Sequence, residues 1–124
     1  KIERQFTAPA PAIPLPSNFD GQIELIGYDL TSSSITLYWR MLKETGADYT
    51  AFVHVLGADG LIIAQRDTQP QNGRYPTSLW AEGEYVTDTI DISTAGTSIE
   101  IGWYVAETGE RLKTMDGNTV RCAP

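Results

Sequence analysis

The sequence is poor in the residues from which most enzyme and metal sites are built. Its 124 residues include one histidine, His54, and one cysteine, Cys122. A lone thiol excludes an internal disulfide and any cysteine-based metal cluster, and a lone histidine leaves zinc without its usual ligands. Cys122 therefore reads as a small apolar residue of a last strand. His54, mid-strand between Val53 and Val55, reads as a half-buried residue hydrogen-bonded to a neighbour. No G-x-S-x-G elbow, phosphate-binding loop, G-x-G-x-x-G turn or H-E-x-x-H helix is present. Asp116-Gly117-Asn118 is a fragment of a calcium loop and reads better as a turn. The expectation is a non-catalytic domain with no cofactor and no metal.

Basic charge is also scarce. Nine Lys and Arg stand against sixteen Asp and Glu, a net charge of −7. A phosphate backbone or an anionic membrane surface needs a clustered cationic face, so neither is an expected partner. Long apolar runs are missing as well. Nothing approaches the roughly 18 residues of a membrane span, and no basic-then-apolar leader opens the chain. The first residue is Lys1 rather than methionine, which suggests a piece of a longer protein. Helical periodicity of any useful length is absent too.

What remains is alternation and turns. Residues 1–17 carry Pro9, Pro11, Pro14 and Pro16, a composition that favours extended chain and forbids helix. They are expected to form a semi-rigid linker, with the domain occupying 18–124. From there a period of two predicts strands over 22–30, 35–42, 49–56, 61–66, 84–92, 99–105, 110–114 and 119–122. Asp59-Gly60 marks a hairpin between the third and fourth of these. Seven or eight short strands in a domain this size predict an all-β fold of two packed antiparallel sheets, immunoglobulin-like or jelly-roll. A closed barrel is the second choice.

Trp39 and Trp103 alternate in phase with Ile, Leu and Val and are expected in the core. Trp80 stands instead in a long irregular stretch, Asp67–Gly83, with Asp67, Gln69, Asn72, Arg74 and Tyr75 nearby. Two readings follow. The ring can fold back to plug one end of the sandwich, with Asp67 or Asp88 bonded to loop backbone and Arg66 or Arg74 paired to a carboxylate. Alternatively Trp80 and Tyr75 offer stacking faces to a sugar, whose hydroxyls Asp67, Gln69, Asn72 and Arg74 would bind. Rigid prolines alternating with anchors Tyr75, Leu79 and Trp80 favour the first reading.

The strings Tyr49–Leu56, Asp59-Gly60, Ala64-Gln65, Asp67–Pro70, Tyr75–Ser78 with Trp80, Gly83-Glu84, Gly102–Tyr104 and Thr108–Leu112 together carry a resemblance. Over residues ~20–118 the chain resembles the extracytoplasmic C-terminal domain of bacterial membrane proteins of the glycosyltransferase-39, mannosyltransferase-like type, in particular the Chloroflexi type. The resemblance implies an accessory domain in the cell envelope, tethered to an upstream membrane region that holds the transferase chemistry. That region of the same chain, or an envelope protein, would be the partner, with glycan as the alternative. The family's acidic catalytic residues have no counterparts here.

Overall fold

A computed structural model describes residues 3–124, and these build eight strands in two antiparallel sheets. The strands are β1 (Ile13–Phe19), β2 (Ile23–Leu30), β3 (Ser34–Met41), β4 (Tyr49–Leu56), β5 (Ile62–Thr68), β6 (Tyr85–Asp91), β7 (Ser98–Val105) and β8 (Val120–Cys122). One sheet has the order β1-β2-β3-β6 and the other β5-β4-β7-β8. The chain crosses between the sheets after β3, β5 and β6. β6 returns beside β3, and β7 beside β4. This is a two-sheet antiparallel sandwich with crossed connections between its sheets. A jelly roll would not run β1, β2 and β3 as a meander in one sheet, and among the described residues no strand closes the two sheets into a barrel.

The alternating sequence explains the packing. In β3 the residues Ile35, Leu37, Trp39 and Met41 are fully buried, while Ser34, Thr36, Tyr38 and Arg40 lie on the outer side. β7 does the same with Ile99, Ile101 and Trp103. Trp39 and Trp103 meet across the sandwich with centroids 4.6 Å apart. Phe19 stands edge-on to Trp39 at 5.9 Å, so an aromatic row links the two sheets.

β4 is buried on both faces, as the apolar residues on both its faces predict, with Thr50 and His54 the polar members of the outer one. Ala51, Val53 and Val55 enter the core. On the outer side Phe52 lies over Gly102, where a Cβ would come within 2.4 Å of its ring. The Arg111 guanidinium sits 4.4 Å from the same ring. Residues 110–114 are not the strand that alternation predicts, although the Val105 N–H reaches the Glu110 carbonyl and the Leu112 N–H the Trp103 carbonyl. Arg111 makes only an isolated bridge to Tyr104, and the segment folds over the sheet, with Leu112 dipping into the core.

The amino-terminal stretch needs a larger correction. A linker was expected through residue 17, yet β1 begins at Ile13 and pairs with β2. Pro14 and Pro16 are accommodated because β1 is an edge strand and its register shifts between Pro14 and Ser17. Before β1, Gln5 bridges Tyr85 of β6, at the opposite edge of the same sheet. The residues between therefore strap the sheet's outer face. Pro11 lies against outward-facing Gly27, where a Cβ would come within 2.7 Å of the proline ring and 2.4 Å of the Ile13 carbonyl. The strap is also tied by Asp29, which accepts the Ala12 N–H at 2.6 Å and the Tyr38 hydroxyl. The Tyr38 hydrogen bond, then that of Ala12, holds the Asp29 carboxyl below its ordinary range.

Candidate functional site

The stretch from Asp67 to Gly83 is a long segment whose course strand-building does not dictate. Its first two residues finish β5, and 3-10 turns follow at Pro70–Gly73 and Thr77–Leu79. Gln71 and Asn72 adopt left-handed backbone at φ 55° and 58°, a conformation that ordinarily falls to glycine. Two carboxylates hold this strained course. Asp88, facing the core from β6, accepts the Gln71 N–H at 3.0 Å. Glu84 accepts the Tyr75 hydroxyl at 2.6 Å and the Ala81 N–H at 2.8 Å. The Thr77 hydroxyl adds a tie to the other sheet. It takes the Tyr49 N–H at 2.9 Å and donates to the Ala47 carbonyl at 2.8 Å.

Within this frame Trp80 is 2% exposed and Tyr75 7%. Trp80 stands edge-on to Trp103 at 6.0 Å and donates its indole N–H to the Tyr75 carbonyl at 2.9 Å. Tyr75 and Trp80 thereby extend the aromatic row of the core. Burial of both rings leaves little aromatic face accessible to a sugar and favours the reading of Trp80 as a loop anchor. The other candidates do not converge either. Arg74 and Asn72 are exposed on the loop, and Gln69 is half-buried at its start. Asp67 lies on the outer face of the β5-β4-β7-β8 sheet, where it accepts the Tyr104 hydroxyl at 3.0 Å.

Asp67 also approaches His54, with Nε2 3.7 Å from Oδ1, too long for a hydrogen bond. The His54 ring packs on Phe52 at 4.7 Å, so it belongs to the outer-face packing. Cys122 is buried, and burial pushes its thiol up, opposite to the shift that makes a nucleophile. Among the described residues, no cluster of three His, Cys, Asp or Glu side chains is placed to hold a metal ion.

Two residues the sequence reading passed over organise the region. Arg4 directs Nη1 at Glu84 Oε1 (2.8 Å), the Leu79 carbonyl (2.8 Å) and the Tyr75 hydroxyl (3.1 Å). The loop's cationic partner is thus Arg4, not Arg74 or Arg66; Arg66 reaches only the Asp91 carbonyl, at 3.4 Å. Glu84 is 1% exposed. Its signal was present, since Glu84 shares the phase of Val86, Asp88 and Ile90 and so falls on the buried side. Arg4 carried none, lying in proline-rich chain with no period to read. Beside this cluster a cavity of about 550 Å³ opens between the strap and β6, bordered by Gln5, Thr7, Gln71, Arg74, Tyr85 and Thr87.

Asp88 gives a pH-dependent test of the loop anchor. Burial pushes its carboxyl up, against the smaller opposing effect of the Gln71 N–H, and Oδ2 has no hydrogen-bond partner among the described residues. A folded-state pKa above the unfolded one means that Asp88 favours folding fully below the unfolded value. That contribution is lost as pH rises through the folded value. Asp88→Asn keeps an acceptor for Gln71 and removes the buried charge. Its stability relative to wild type is expected to improve as pH climbs above about 4 and to level off once pH has passed the folded-state value. Urea denaturation across that range measures the difference, and a constant difference contradicts the assignment.

Exposed apolar surface is concentrated elsewhere. At the β4–β5 hairpin the consecutive residues Leu61, Ile62 and Ile63 are 66%, 48% and 57% exposed. Leu61 precedes β5, an edge strand that Ile62 and Ile63 begin. Comparison with protein-family models, with curated proteins and with solved structures found no match.

Proposed function

We propose that this chain is a non-catalytic structural or protein-interaction module of a longer, membrane-bound, glycosyltransferase-like protein. It works outside the cytoplasm in a bacterial cell envelope, and it docks on the upstream membrane region of its own polypeptide or on an envelope protein. The observation that carries the interaction role is the run Leu61-Ile62-Ile63. Three adjacent aliphatic side chains in water, at the end of an open sheet edge, are a liability in a domain with no partner. A protein surface covering them removes that liability. The setting rests on the family resemblance and on the acidic, strand-only character of the chain. The buried state of Trp80 and Tyr75 weighs against the glycan alternative.

Site-specific photo-crosslinking tests the docking surface. A photoreactive residue at position 63 of the full-length protein, in the producing cells, is expected to give a discrete cross-linked product. The same residue at position 24, on the outer face of the other sheet, serves as the control. Equal, diffuse labelling from the two positions rejects the β4–β5 hairpin as the contact.

A further inference from the structure

The geometry points to an arginine-reading peptide groove along the free edge of β6, filled in this chain by its own residues 3–5 and open in trans to an extended, arginine-bearing segment of another polypeptide. Three observations carry it. The first is the receptor for the side chain. Glu84 Oε1, the Leu79 carbonyl and the Tyr75 hydroxyl converge within 3.1 Å of one guanidinium nitrogen. The carboxylate that supplies the charge is itself buried, with a side chain 1% exposed, whereas the arginine that fills the site is 38% exposed. A fixed acceptor set holding a half-exposed guanidinium is how a recognition pocket differs from a core ion pair.

The second observation is the backbone. Gln5 follows Arg4 and accepts the Tyr85 N–H at 2.8 Å, so the strap pairs with β6 as an added strand does. The pairing stops after that one bridge. Farther along the edge Thr87 has its carbonyl taken by the Gln71 side chain at 3.2 Å, and the cavity opens there between strap and strand. The added strand is begun and not completed, and the space beside it is within the 300–1,000 Å³ of ordinary ligand sites. The third observation is charge. The chain is at −7 overall, which draws a cationic segment towards it and selects against an acidic one.

Residues 3–5 therefore act as a tethered competitor. A tether of this length presents Arg4 at a millimolar effective concentration. An outside peptide binds weakly until that competitor is withdrawn, and its apparent affinity falls with the fraction of open groove. The groove is separate from the Leu61–Ile63 surface, and failure of either leaves the other standing.

The test titrates the full chain, wild type and Arg4→Ala, with the blocked heptapeptide Glu-Arg-Gln-Phe-Thr-Ala-Pro by calorimetry. The Arg4→Ala chain is expected to bind it at least tenfold more tightly than wild type. The same peptide with alanine for arginine is expected to bind at least tenfold more weakly. Adding Glu84→Gln to Arg4→Ala should remove that discrimination, and Tyr75→Phe, which keeps the ring in the core, should reduce it if the first double variant does not fold. Equal binding by wild type and Arg4→Ala, or equal binding of the two peptides, overturns the proposal. So does a wild-type dimer in light scattering that Arg4→Ala dissociates, because the groove would then belong to a second copy of this chain.

Discussion

Replacing Trp80 by alanine is expected to destabilise the domain by about 3–5 kcal/mol, the range for deleting a fully buried aromatic side chain. The argument rests on what the indole touches. It closes the end of the aromatic row on Trp103, packs 6.2 Å from Tyr75 and holds the Tyr75 carbonyl through its N–H. No neighbouring element can collapse into the void, because the loop around it is fixed at Thr77 from one side and at Glu84 from the other. Leu79, one residue earlier, is 44% exposed, and Leu79→Ala is expected to change stability by no more than about 0.5 kcal/mol. Urea denaturation of the two variants side by side separates the readings of this loop. A Trp80→Ala variant within 1 kcal/mol of wild type would sink the anchor assignment.

The second large effect is expected at Glu84. Its carboxylate accepts the Tyr75 hydroxyl, the Ala81 N–H and the Arg4 guanidinium; the first of these hydrogen bonds is buried and the second partly so. Glu84→Ala leaves those two donors without an acceptor. At about 1–3 kcal/mol for each buried orphan, the combined loss is about 2–6 kcal/mol. Arg4 can turn towards water and adds little to that figure. Glu84→Gln preserves an oxygen for one donor and an almost equal volume, so it should recover roughly half of the loss. Denaturation midpoints give the comparison, and the Tyr75 environment, followed by near-ultraviolet circular dichroism, shows whether the loop itself has been released. If Glu84→Ala and Glu84→Gln are equally destabilised, the hydrogen-bond account fails and the charge alone matters.

The sandwich was legible because alternation is a local signal. β3, β4 and β7 each carry their burial pattern in consecutive residues, and Asp59-Gly60 announces its hairpin. The folding-anchor reading of Trp80 was legible from the spacing of rigid prolines and aromatics. The amino-terminal strap was not. Proline-rich chain reads as linker whether it hangs free or lies on a sheet, and the difference lies in Gly27, a bare position on another strand that makes room for Pro11. Residues 110–114 misled for a related reason. They alternate, yet they make only one isolated bridge to β7, beside which Arg111 covers the Phe52 ring fifty-nine positions earlier. The Arg4–Glu84 pair joins residues eighty apart, and no pattern within a strand encodes such a partnership.

The pairing of β4 sets the order in which this chain can fold. On one side Val55 faces Ala64, nine positions later; on the other Phe52 faces Gly102, fifty positions later. Loop-closure entropy makes the second encounter dearer by about 1.5 kcal/mol, enough to slow it roughly tenfold. The hairpin is expected to form first and to wait for its second neighbour. At about 5–20 residues per second, synthesis from β4 to β7 adds a delay of roughly 3–10 s. During that interval Ala51, Val53 and Val55 face outward from a nascent ribbon whose tip already displays Leu61, Ile62 and Ile63. An order of this kind leaves one surface open to association with other chains, the face of the ribbon that β7 has not yet covered.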